Sequence, residues 1–148
     1  MLALAVLAWT LPVPAAAPDP APLTSPADAP RPAPPSREQA YAEFKRLFEA
    51  GEHAAAVEHA RKVVELAERA EPAGAEELQV AVMNLGLAER TAGDYVAAEA
   101  SYQRAIALIE ASGRLTSPRY ARAHAGLAIT YYDARRHDLA APSFERAI

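Results

Sequence analysis

Gly93-Asp94-Tyr95-Val96-Ala97-Ala98-Glu99 has a counterpart forty-two residues earlier, Gly51-Glu52-His53-Ala54-Ala55-Ala56-Val57, and another forty-two residues later, Arg135-Arg136-His137-Asp138-Leu139-Ala140-Ala141. A repeat of that period is the mark of stacked helical hairpins. One hairpin alone cannot bury its apolar face, so neighbours must cover one another, and the stack leaves an extended surface suited to gripping another chain. The expected class is therefore all-α, an α-solenoid of about three antiparallel helical hairpins.

Composition agrees with that class. The chain is 51% hydrophobic but only 7% aromatic, which suits close packing of helices through small residues better than a sandwich or barrel core. A formal net charge of −4 argues against nucleic acid as a ligand, because phosphates call for a concentrated cationic face. Cysteine is absent, which removes disulfides, thiolate nucleophiles and thiolate metal ligands.

Working outward from the repeats, Leu2 to Leu11 is an uncharged apolar run followed by Pro12-Val13-Pro14 and Ala15-Ala16-Ala17. About ten residues are too few to cross a bilayer but fit the apolar region of a secretory signal. Residues 1–15 are accordingly expected to be a signal-like segment cleaved near Ala15, with no stable membrane span. Residues 16–35 are dense in Pro and Ala. Proline has no N–H and biases its predecessor away from the α region, so a disordered linker is predicted there.

The folded part is expected over 36–148, in units of about 36–72, 75–113 and 117–148, the last one truncated. Ser36 with Gln39 three residues on reads as a capping box. Gly51 and Gly93 close the first helix of the first two units, and Ser117-Pro118 reads as N-cap and first helical residue of the third. Pro142 falls about one turn into the last helix, predicting a displaced start near Asp138 or a kink. The final helix is expected to run to Ile148 without a cap, exposing Phe144 and Ile148. Within the repeats, small residues at Gly86, Ala98, Ala105, Ala128, Ala140 and Ala147 should let helices approach closely, while Tyr102 and Phe144 fill the space between successive hairpins.

A small residue at the eighth place, then Gly93, Tyr95, Ala98, Tyr102 and Ala105, resembles the tetratricopeptide repeat, and Asn84-Leu85-Gly86-Leu87-Ala88 followed by Gly93-Asp94-Tyr95 is similar to the longer kinesin-light-chain type. The likeness is weaker in the first unit, where Phe44 replaces the small residue, Ala60 the aromatic and Val63 the alanine. It implies a groove lined by the first helix of each hairpin. The facing places fall on Tyr41, Lys45 and Phe48, on Val80, Met83, Asn84, Leu87 and Arg90, and on Arg122, Ala125, Ile129 and Tyr132. Asn84 can both donate to and accept from an extended backbone, while Lys45, Arg90 and Arg122 offer charge to acidic groups. With Tyr41 and Gly126 where further clamp residues would belong, no carboxylate clamp is implied.

Catalytic and metal readings find little. His53 and His137 share the repeat place of Tyr95, which predicts packing within a hairpin, and no two of the four histidines have the spacing of a zinc helix. Neither a nucleophile motif nor a phosphate-cradling Gly run occurs. The expectation is a scaffold rather than an enzyme, binding a protein or peptide in the bacterial cell envelope, with no cofactor, metal, small-molecule substrate or nucleic acid. Two further readings stay open: an accessory module of a longer protein carrying an enzymatic, transducer or anchoring domain, and a structural module self-associating through its uncapped C-terminal end.

Overall fold

The structure, a computed structural model, describes residues 35–70 and 75–148. The signal-like segment, all of the linker but Pro35, and the break at Pro72-Ala73-Gly74 lie outside the described residues. Among the described residues six helices follow one another: α1 (Arg37–Glu49), α2 (His53–Arg69), α3 (Ala75–Thr91), α4 (Tyr95–Ala111), α5 (Pro118–Asp133) and α6 (His137–Glu145). Each packs on the next, and α3 also touches α5. Among the described residues there is no strand.

The helix ends follow local chemistry. Ser36 Oγ accepts from Gln39 N at 3.2 Å while Ser36 N donates to Gln39 Oε1 at 2.9 Å, the capping box expected from sequence. Asp94 caps α4 through Ala97 N at 3.1 Å, and Ser117 caps α5 through Tyr120 N at 3.2 Å. Each hairpin turn repeats one pair of backbone bonds: Gly51 N to Phe48 O with Glu52 N to Leu47 O, Gly93 N to Arg90 O with Asp94 N to Glu89 O, and Arg135 N to Tyr132 O with Arg136 N to Tyr131 O. This is a Schellman closure, which needs a left-handed residue at its corner. Glycine supplies it at Gly51 (φ 78°) and Gly93 (φ 86°), whereas the third turn holds Arg135 at φ 62°, a conformation costly to a residue with a Cβ.

Core packing centres on α3, where nine residues are buried against three in α1. Tyr102 of α4 is the large side chain of this core. Its ring lies 3.1 Å from where a Cβ at Gly86 of α3 would stand, and a Cβ at Gly126 of α5 would collide with it. The first hairpin inverts the arrangement. Phe44 takes the place of Gly86 and Ala60 that of Tyr102, so the bulk moves from the second helix to the first, and both residues are buried. The third unit keeps Ala128 and Phe144 in those places, but Phe144 is 41% exposed. The expectation that Phe144 fills a gap between hairpins is thus not met: no described helix lies beyond α6 to receive it.

The last helix corrects two more expectations. It begins at His137, in register with His53 and Tyr95, rather than being displaced to Asp138. It also ends at Glu145 instead of running to Ile148. With Pro142 inside it, no N–H answers the Asp138 carbonyl, and its N-cap Arg136 makes no side-chain bond. A helix of nine residues, with a proline inside and no side-chain cap at its start, has little local stabilisation. Ala98, Ala105, Ala128 and Ala140 are buried, whereas Ala147, also expected to pack, lies beyond the end of α6 and is only half-buried.

Two substitutions test this packing by chemical denaturation. Gly126→Ala drives a methyl into the Tyr102 ring and is expected to cost about 1–3 kcal/mol. Arg135→Gly relieves the left-handed corner and is expected to add about 0.5–1 kcal/mol.

Candidate functional site

The first helices of the hairpins present one face. On α3, Glu77, Val80, Asn84 and Leu87 are left outside the core and recur at three and four, a stripe along one side of the helix. Next to it, Tyr41 of α1 and Arg119 of α5 help enclose a hollow of about 390 Å³. Its apolar wall comes from Tyr41, Val63, Val80 and Ala81, and its polar rim from Arg37, Glu38, Glu76, Glu77 and Arg119, with Asn84 at the edge. Tyr41 and Val80 are 40% and 39% exposed, so both apolar surfaces are open to a visitor.

The rim is internally paired. Arg119 donates to Glu76 at 2.9 Å and Arg114 reaches the other oxygen of the same carboxylate. These two guanidiniums, Arg119 first, hold the Glu76 carboxyl below the usual carboxylate range. Glu76, Arg119 and Arg37 were missed in the sequence reading. The first two lie near helix starts, outside the apolar periodicity, and the signal that could have found Arg119 is its place forty-two residues after Glu77.

Of the groove residues expected from sequence, the hollow gathers Tyr41, Val80 and Asn84. Lys45, Arg122, Ile129 and Tyr132 are exposed and Leu87 half-buried, on the helices expected, but they do not line it. Tyr132 holds His137 edge-on with ring centroids 5.1 Å apart, and Phe48 holds His53 in the same way at 5.7 Å. Met83 is a correction. It is 8% exposed and belongs to the core, because α2, α4 and α5 all press on α3 and leave only the stripe around Val80, Asn84 and Leu87 free.

Arg90 is also committed elsewhere. Its Nη1 donates to Asp133 of α5 at 2.8 Å, tying the first helices of the second and third hairpins together. It further lies beside the buried Tyr102 phenol, whose pKa burial pushes up against the opposing pull of Arg90. A second polar contact crosses the core. Glu89 of α3, 4% exposed, accepts from Ser101 of α4 at 2.6 Å and has Arg61 of α2 at 3.6 Å. Such buried charge is tolerated only with partners on each side.

No group of three or more His, Asp or Glu among the described residues is placed to hold a metal. No helix among them is long and apolar enough to cross a membrane. Comparison with curated proteins gives no match to the chain. Comparison with family models gives one over residues 76–148, which spans α3 to α6, to the tetratricopeptide repeat. Repeats of this kind serve in general as protein–protein interaction modules. Helical hairpins among the described residues, a forty-two-residue period and the match over residues 76–148 make this chain a tetratricopeptide repeat protein.

Proposed function

We propose that the chain is a non-enzymatic scaffold that holds an extended segment of a protein partner along the face formed by α1, α3 and α5. The observation that carries this reading is the hollow, where an open apolar wall of Tyr41 and Val80 stands beside Asn84, a side chain able to bond a peptide main chain in both directions. An apolar side chain of leucine size buried there contributes about 1.5–3 kcal/mol. Micromolar binding needs about 8 kcal/mol. The partner must therefore extend beyond the hollow, and Leu87, Ile129 and Tyr132 offer further apolar surface on α3 and α5 for it to cover. Lys45 and Arg122, both exposed, suit acidic residues flanking the apolar anchor. The forty-two-residue interval supports a place among the longer, kinesin-light-chain-like repeats.

Leu2 to Leu11 and the small residues after it support export, with the scaffold working in the bacterial cell envelope. The formal charge of −4 supports protein over nucleic acid as the partner. A second reading, self-association, draws on Phe144, 41% exposed on the last helix, and on Ile148, exposed beyond that helix.

Peptides selected on the chain from a displayed random library provide the test of the first reading. Asn84→Ala and Val80→Glu are each expected to weaken the selected peptides about tenfold, one hydrogen bond or one apolar contact. Val96→Ser, a change at an exposed residue of α4, should leave binding unchanged. Equal affinity for all three variants contradicts the assignment. Sizing in solution tests the second reading: concentration-dependent dimers abolished by Phe144→Glu support it, and a monomer at every concentration excludes it.

A further inference from the structure

His124 stands where α3 has Val82 and α1 has Ala40, both core residues. It is itself only 3% exposed, and neither ring nitrogen has a hydrogen-bond partner. Tyr120 lies edge-on to the ring at 4.5 Å. On another side a hollow of about 420 Å³ lies among α4, α5 and α6, with Ile106, Glu110, Leu127, Leu139 and Arg146 in its wall. A neutral imidazole leaves one donor and one acceptor unmatched in this setting. An imidazolium would leave two donors and a charge.

The surroundings offer that charge little help. Glu110 of α4 attracts it, but the carboxylate already accepts the Tyr120 hydroxyl at 3.1 Å. Arg146, just beyond α6, repels it. Tyr131, also in the wall of the hollow, donates a hydrogen bond from its hydroxyl to Glu99 at 2.9 Å. No other charged group among the described residues acts on the ring. Burial first, then Arg146, lowers the imidazole pKa below the ordinary histidine range, against the smaller pull of Glu110.

We propose that His124 is a proton-operated latch for the third hairpin. On taking up a proton the side chain must reach water through the adjoining hollow, which loosens α5 and α6 from α4. The element it must displace is the weakest one: α6 has nine residues, no side-chain cap at its start and a proline inside. Its functional consequence rests on the proposed function above, because α5 carries Arg122, Ile129 and Tyr132 on the binding face.

The direction of the effect follows from linkage. The folded pKa lies below that of the unfolded chain, so between the two values the unfolded state binds more protons. The stabilisation is complete above the ordinary histidine value of about 6.5 and is lost as pH falls from there to the folded pKa. Carboxylates add their own acid loss, so the test needs a variant lacking only this ring. His124→Val installs the residue that the repeat carries at Val82.

The full chain, without any partner peptide, would be followed by amide hydrogen exchange at about pH 7.5 and about pH 5, values on either side of the histidine range. After correction for intrinsic exchange, protection of α5 and α6 is expected to fall about tenfold more on acidification than that of α1 and α2. In His124→Val the excess should vanish. An equal acid loss in the variant, or none in the original chain, overturns the proposal. Titration of the His124 ring in the original chain by NMR is a second measurement, decisive even if the variant does not fold. A midpoint below about 6.5 supports the latch and one at or above it refutes it. Because no partner is used, a negative result leaves the binding face standing.

Discussion

The join between the second and third hairpins depends on how Tyr102 is seated. The ring comes from α4 and lies against Gly86 on α3 and Gly126 on α5, places where a methyl group would be tight or would collide. One aromatic therefore fits both first helices against α4, and α3 and α5 come into contact with each other. An interior packed to crystal-like density admits no surplus methyl at such a point. The first hairpin meets the same requirement by exchange, with Phe44 and Ala60 carrying between them the bulk that Gly86 and Tyr102 carry in the second. A volume-conserving swap of this kind preserves the spacing of the helices while the identities change.

The binding face is a by-product of that seating. Because α3 is pressed from three sides, much of what it can offer a visitor lies in one narrow stripe, and Arg90 bonds Asp133 instead. The two ends of the stack differ in kind. On α1, Gln39, Glu43 and Arg46 occupy the places that are Ala81, Leu85 and Ala88 on α3 and Ala123, Leu127 and Thr130 on α5, all six of those buried. Polar residues in those places suit a face of α1 on which no described helix packs. The far end carries Phe144 and Ile148 exposed.

Periodicity and punctuation made the fold legible. Glycine at Gly51 and Gly93, the capping box at Ser36 and the Ser117-Pro118 pair act within one turn of the chain, and all produced the helix boundaries expected of them. What sequence reasoning missed depends on neighbours distant along the chain. Met83 was assigned to the groove by position within one helix, but its burial is decided by three others. Arg90 reads as a free cation until Asp133, forty-three residues on, is seen to claim it. Phe144 has the right residue type for an inter-hairpin wedge and lacks only a described helix to wedge against. Pro142 suggested a late start for α6, yet the Schellman turn before it fixed the start at His137.

The seating of Tyr102 can be observed directly by NMR of the intact chain. Nuclear Overhauser contacts from the Tyr102 ring protons to the α-protons of both Gly86 and Gly126, with those of Gly126 shifted upfield by the ring, are the predicted result. A folded, helical chain in which the ring contacts neither glycine would contradict the account.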